Sequence, residues 1–303
     1  MSLPPGMQPA SQALMVPTLA VVGVGLIGGS FAAALRRANK TGRVLGVGRN
    51  KATLARAQAL GLIDAVASAQ EAAAQADLIL LAAPVGATQS ILSAMCPHLK
   101  DNTLITDAGS TKVNVVDAAR AALGDRIRQF VPGHPIAGAE KTGPEAADAF
   151  LYQDRTTVLT PLEENTAADR QFITRVWEAC GARVLVMDPQ AHDRVLASVS
   201  HVPHFLSSVF MWQVATAADS DLRLALAGSG FRDFTRIAAG SGEVWRDIFL
   251  SNRQAVLAEL QEVKAALAHA EQALQNSDGP ALEDFLERAA LARRFWGSRS
   301  KME

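Results

Sequence analysis

Leu19-Ala-Val-Val-Gly23-Val-Gly25-Leu26-Ile27-Gly28 is the stretch that decides the fold. A short apolar run closed by glycine reads as a buried parallel strand, and the residues that follow match G-x-G-x-x-G at the opening of a helix. Each glycine has a physical task. Gly23 makes the tight turn, Gly25 lets the backbone approach a pyrophosphate, and Gly28 lets the helix pack on the strand. Leu26 and Ile27 open the helix, whose N-terminal N–H groups face the phosphates. The alternative is a glycine-rich turn that binds nothing. The surrounding 13–35 stretch also has the apolarity of a membrane anchor, since no charged residue precedes Arg36. Pro17, the four glycines Gly23, Gly25, Gly28 and Gly29, and the lack of a positive n-region speak against an anchor. Residues 1–17 read as a flexible leader.

Outward from this turn, strand and helix alternate. Helix is expected over 30–39, 51–60, 85–95 and 113–123, and strand over 43–47, 77–81 and 103–106. Strands at 155–160 and 183–187 flank a helix over 167–180. This is an α/β pattern, a Rossmann-type doubly wound parallel sheet. After Asp188-Pro189 the strand signals stop. A helix over 192–218 is kinked at Pro203, and 252–276 carries Val256, Leu260, Val263, Leu267, Ala270 and Leu274 as one apolar stripe. A last helix spans 281–295. The division is a dinucleotide-binding domain over 18–188 and an all-helical C-terminal domain over 189–303. The stripes favour a homodimer through the helical domain, with intrachain packing as the alternative.

Composition removes other classes. The 303 residues are 49% hydrophobic and 19% charged, with 29 basic against 30 acidic residues. That is a globular balance with no global positive field and no basic cluster for nucleic acid or an anionic membrane. Cys96 and Cys180 form no CxxC pair and no metal-ligand spacing, so no metal is expected and a reducing, cytoplasmic setting is.

The second strand speaks to the cofactor. An NAD site carries a carboxylate about twenty residues beyond the last glycine, for the ribose 2′-OH. Here Gly48 stands in that place and Arg49 follows, which favours NADP over NAD unless Arg49 is only a solvated surface residue. Two further segments should lie at the carboxyl edge of the sheet: Asp107-Ala-Gly109-Ser110-Thr-Lys112 and Gly133-His134-Pro135-Ile-Ala-Gly138-Ala-Glu140. His134, held between glycine and proline, is a candidate general base.

Those two segments, with Ser200-His201-Val-Pro-His204, Asp233-Phe-Thr-Arg236 and Trp245-Arg246-Asp247-Ile248, resemble the prephenate and arogenate dehydrogenases of tyrosine biosynthesis over about 19–252. The resemblance implies oxidative decarboxylation of a cyclohexadienyl substrate with hydride transfer to NADP or NAD. It implies His134 as acceptor for the substrate 4-hydroxyl, and Ser110 as the hydroxyl that orients His134 and touches substrate and nicotinamide. Ser200, His204 and less securely His201 would line the pocket, with Arg236 as a carboxylate clamp. Glu140 would be a gate, and Trp245 would reach a neighbouring subunit's site. Structural alternatives stay open: Ser110 as a helix cap, Arg236 paired with Asp233 or Asp247, and Ser200 and His204 as helix packing. Ala82-Ala83-Pro84-Val85 replaces a threonine-containing turn expected in relatives, which puts a nicotinamide contact at Pro84 in doubt. The resemblance includes neither a mutase domain ahead of the sheet nor room for a regulatory domain after 252. A β-hydroxyacid dehydrogenase would want a lysine on the long helix, and 192–218 has none. A dinucleotide-sensing protein would have no use for the histidine, serine and arginine.

Overall fold

The computed structural model describes residues 15–138 and 142–299. Strand β1 (Val16–Val22) is central in a five-stranded parallel sheet. On one side lie β2 (Thr41–Val47) and the two-residue β3 (Ala65–Val66), on the other β4 (Leu78–Leu81) and β5 (Leu104–Asp107), giving the order β3-β2-β1-β4-β5. The register sets Leu19 between Val44 and Leu78. Alternation along the strands then sends Leu19, Val21 and Leu80 to a core with Phe31 and Trp177, while Ile79 and Leu81 join Leu92, Val115 and Phe130. Both faces are thus covered, as a parallel sheet requires.

The connections are α1 (Leu26–Arg37), α2 (Lys51–Ala59), α3 (Ala69–Gln75), α4 (Thr88–Met95) and α5 (Val113–Leu123). The apolar stretch around the glycine motif is therefore split between β1 and α1, both buried in the core. The expected leader is shorter at its inner end, because Val16 already donates to the Lys40 carbonyl at 2.9 Å. Pro17 sits near the strand's start, where a missing N–H costs least. Residues 1–14 lie outside the described residues.

Beyond β5, Val131 N–H donates to the Ile105 carbonyl at 2.8 Å and carries the chain along the sheet edge into β6 (Gly133–Pro135). Beside the parallel five-stranded sheet, β6 opens a separate three-stranded one, in which it pairs antiparallel with β7 (Thr156–Leu159). The link between them has no α-helix among its described residues, and an antiparallel neighbour needs no helical crossover. β7 does have one, α6 (Ala167–Ala179), and so pairs in parallel with β8 (Arg183–Val186).

The rest is helical. α7 (Pro189–Leu196) runs through a five-residue π segment (Ala197–His201) into α8 (Val202–Ala215). The kink expected at Pro203 thus falls just before it, where the wider π turn absorbs the proline's missing N–H and its clash with the preceding turn. In this half three helices were not legible in the sequence: α9 (Ser220–Ala225), α10 (Ser229–Thr235) and α11 (Gly242–Ser251). α11 packs on the short turn Val85–Ala87 after β4, which brings the helical half over the sheet's carboxyl edge. α12 (Arg253–Gln275) and α13 (Gly279–Arg299) complete the chain.

Candidate active site

The glycine turn is built as its sequence asks. Gly23 has φ +93°, and a Cβ there would lie 2.5 Å from the Ala82 carbonyl oxygen. A Cβ on Gly28 would collide with the Gly23 carbonyl and come within 2.6 Å of Val21 Cγ1, so the close helix–strand contact depends on hydrogen at that place. Gly25 differs: nothing lies within 4 Å of its would-be Cβ, which faces open space at the N-cap of α1. The first-turn N–H groups of a helix have no intrahelical partners and suit a pyrophosphate. A cleft of about 670 Å³ spreads from this turn past Gly48, Arg49, Asn50 and Thr53 to Ala82–Pro84. Asn50 caps α2 through a hydrogen bond from the Thr53 N–H at 3.1 Å. No carboxylate lines this cleft among the described residues. Its residues fit a dinucleotide.

A smaller hollow of about 230 Å³ adjoins it across Ala82–Pro84. Ile27, Pro84, Gly109 and Ser110 line it from the sheet, and Val244, Asp247 and Ile248 from α11. Beside it lies a buried polar cluster that the sequence reading did not assemble. Lys112 Nζ, fully buried, pairs with Asp107 and donates to the Gly133 carbonyl at 2.7 Å, while Asp107 Oδ1 accepts from the Gly133 N–H at 2.9 Å. The ion pair thereby anchors the backbone that carries His134. His134 Nδ1 lies 2.9 Å from His192 Nε2, and His192 Nδ1 lies 2.7 Å from Asp193 Oδ1.

A carboxylate only accepts, so His192 Nδ1–H donates to Asp193, and in the neutral ring its Nε2 keeps a lone pair. With His192 neutral, His134 Nδ1–H donates to that lone pair, which leaves His134 Nε2 as a bare acceptor. Burial, His192, the Lys112 cation and His201 hold the His134 pKa well below 6.5, so the ring is neutral near pH 7. The bond that orients His134 therefore comes from His192, the task expected of Ser110. Nor does Ser110 cap α5: the N–H groups of Lys112 and Val113 donate to Asp193 at 2.7 and 2.9 Å.

The remaining candidates sit on the helical half. His201, in the π segment, has Nδ1 3.1 Å from Asn252 Nδ2, whose amide also donates to the Asp193 carbonyl at 2.7 Å. Burial lowers its pKa to about 4 against the raising effects of Asp193 and the Ser110 backbone, and its Nε2 is buried without a hydrogen-bond partner of normal geometry among the described residues. Ser200, its neighbour in that segment, is half-buried. His204 stacks on Trp245 (centroids 3.5 Å apart, planes 15°), and burial brings its pKa to about 4. Trp245 thus has a partner within its own chain. The two rings line a hollow of about 450 Å³ with Ser208, Ala238, Gly240 and Arg246. Arg236 opens the turn Arg236–Ala239, which packs on α8 and supplies Ala238 to that hollow; its side chain is exposed. Asp247, one alternative partner for Arg236, is paired with Arg246 at 2.7 Å. Glu140 lies outside the described residues.

A dinucleotide cleft, an adjoining hollow and a neutral imidazole in the buried cluster beside it make up a layout suited to taking hydride and proton from one carbon–oxygen centre. The class it defines is the two-part dehydrogenases, in which a nucleotide-binding sheet and a helical unit enclose a small substrate. The family model described as "Prephenate dehydrogenase, nucleotide-binding domain" matches residues 31–186, and "Prephenate dehydrogenase, dimerization domain" matches 188–288. The prephenate dehydrogenase of Lactococcus lactis is 35% identical over 276 residues, covering 90% of this chain and 76% of that protein. The cyclohexadienyl dehydrogenase of Zymomonas mobilis is 36% identical, covering 91% of this chain and 94% of its own. Among solved structures, prephenate dehydrogenase from Aquifex aeolicus with hydroxyphenyl propionate and NAD+ superposes with TM-score 0.87 at 32% identity, covering 93% and 99% of the two chains. Synechocystis arogenate dehydrogenase does so with TM-score 0.78 at 29% identity, covering 92% and 99%. The chain belongs to the prephenate dehydrogenase family and is an NAD(P)-dependent dehydrogenase.

Proposed function

We propose that this chain oxidatively decarboxylates prephenate or arogenate in tyrosine biosynthesis, with NADP preferred over NAD and with the following division of labour. The observation that carries the reading is the line of contacts from His134 Nδ1 through His192 to Asp193, which with His192 neutral leaves His134 Nε2 as acceptor. When bound, the nicotinamide supplies the hydride acceptor, held by Gly23, Gly25, Leu26, Ile27, Gly28 and Pro84. His134 Nε2 takes the proton of the substrate 4-hydroxyl as that carbon becomes a carbonyl, an effect worth roughly 10²–10⁴ in rate. Ser110, in the hollow between cleft and α11, contacts substrate and nicotinamide. Arg236 positions a substrate carboxylate. Loss of carbon dioxide removes a charge, so a tighter grip on the departing group than the transition state keeps would raise the barrier. Ser200, His201 and His204 line the pocket, and Trp245 holds the His204 ring by stacking.

The NADP preference rests on Gly48 and Arg49 and on a cleft lining without a carboxylate. The unpaired Cys96 and Cys180 fit a reducing cytoplasm. A second copy of the chain is the partner proposed for the helical half, whose family model is that of a dimerization domain.

The test is to mix the protein with prephenate or arogenate and NADP and follow reduced nicotinamide by absorbance. Turnover of at least one substrate is expected; none with either rejects the reading. His134→Asn should lower kcat by roughly 10²-fold or more with KM little changed, and an unchanged kcat would remove His134 as the base.

A further inference from the structure

The buried cluster around His134 contains more than a base needs. Lys112 is its one fixed cation, and Asp107 and Asp193 are its two carboxylates, so with neutral histidines it carries one excess negative charge. Asp193 takes two backbone N–H bonds at the start of α5, which fix the carboxylate beside His192. The two imidazoles differ in what faces them. His134 feels the Lys112 cation and His201, and its only close polar side-chain partner among the described residues is the ring of His192. His192 is fully buried in direct contact with the Asp193 carboxylate. A positive charge is therefore far better placed on His192 than on His134.

We propose that the proton taken from the substrate hydroxyl passes through His134 and comes to rest on His192. The reading rests on His134 being the base. The substrate O–H bond breaks and His134 Nε2–H forms; His134 Nδ1–H breaks and His192 Nε2–H forms. His134 ends as a neutral ring with its proton on Nε2, and His192 as an imidazolium paired with Asp193. The electron pair of the substrate O–H bond becomes part of the new carbonyl. The 2.9 Å and 2.7 Å contacts already join His134, His192 and Asp193, so the second transfer needs no side chain to move. His192 is a positioning residue in this scheme, acting on the substrate only through His134.

His192→Gln separates the two tasks, because a glutamine carbonyl can still accept from His134 Nδ1–H but cannot hold a proton. It should lower kcat by roughly 10- to 100-fold with KM for prephenate within about twofold. It should also move the acidic limb of the kcat profile to lower pH. In the wild type one proton on the pair, facing Asp193 with Lys112, Asp107 and His201 around it, converts His134 to the wrong tautomer. In the variant that proton must go onto His134 itself, beside Lys112. A kcat within twofold and an unmoved limb would overturn the proposal and leave His192 a mere tautomer lock. If His134→Asn retained wild-type kcat, the base assignment itself would fall, whatever His192→Gln does. Should His192→Gln not fold, 15N-histidine NMR of the wild-type protein decides. On acidification the doubly protonated signal should be that of His192 while His134 changes to the Nε2–H form; double protonation of His134 first would overturn the proposal.

Discussion

At the scale of single residues, Gly48 decides more by what it lacks than by what it does. A Cβ at that position meets only Leu54 side-chain atoms, at 3.5–3.8 Å, which is ordinary contact, so nothing steric demands glycine there. Gly48→Asp should therefore fold normally and place a carboxylate where a ribose hydroxyl would meet it. It should raise the KM for NADP tenfold or more and improve NAD, on the order of one charge-assisted hydrogen bond each way. Arg49→Ala should weaken NADP much more than NAD; equal losses in steady-state kinetics would end the phosphate role. The buried histidines make a second prediction. Burial first, with neighbouring charges, depresses His134 well below 6.5, and burial brings His201 and His204 to about 4. A depressed folded-state pKa means that the unfolded chain binds the extra proton more readily. The stability these rings contribute is present above about pH 6.5 and drains away as pH falls toward 4. Tm should be flat from pH 7 to 8 and drop between pH 6.5 and 5, above the range of the carboxylates. A level Tm across that window would show that these rings protonate in place.

At the scale of elements, the glycine turn was legible because its residues are fixed by backbone sterics within ten positions. Gly25→Ala and Gly28→Ala test that reading as a pair. The first meets open space and should leave Tm within a degree or two while weakening the dinucleotide. The second forces α1 off β1 and should cost about 1–3 kcal/mol or more, seen as a lowered midpoint in urea. Equal effects on stability would contradict the division of tasks. Less was legible where the cause is not local. β3 is two residues long, and the alanine-rich α3 has no apolar stripe to betray it, although its Ser68–Glu71 capping box was there to be read. The antiparallel β6 depends on what lies between the strands rather than on their composition. The His134–His192–Asp193 line joins residues 58 positions apart, and nothing in Ala-His-Asp-Arg at the head of a helix marks it as part of a site. The family resemblance named the groups expected to touch the ligand, and no local pattern pointed to His192, which bonds to one of them.

At the scale of the whole molecule, the apolar stripe on α12 divides in two. Val256 is buried and Leu260 and Val263 pack with Ala197 and Val202, so this end of the stripe belongs to the chain's own core. Leu267 and Leu274, further along the same stripe, remain 65% and 63% exposed. Around them α13 leaves Leu286, Leu291, Phe295 and Trp296 exposed, and α8 leaves Phe210 and Trp212. A hairpin of helices 23 and 21 residues long with so little of its surface covered has no core of its own and would be marginal in water. Its order is accounted for if a second copy covers it, as the dimerization-domain match to 188–288 suggests. Sedimentation should then give twice the chain mass, and Tm should rise with protein concentration, because association stabilises only the folded chain. Leu267→Glu combined with Trp212→Glu places charges in that cover and leaves the buried half of the stripe untouched. The double variant should sediment as a monomer with a lower Tm while the nucleotide-binding sheet still binds NADP. A wild-type monomer at micromolar concentration would mean that intrachain packing is all the stripe is for.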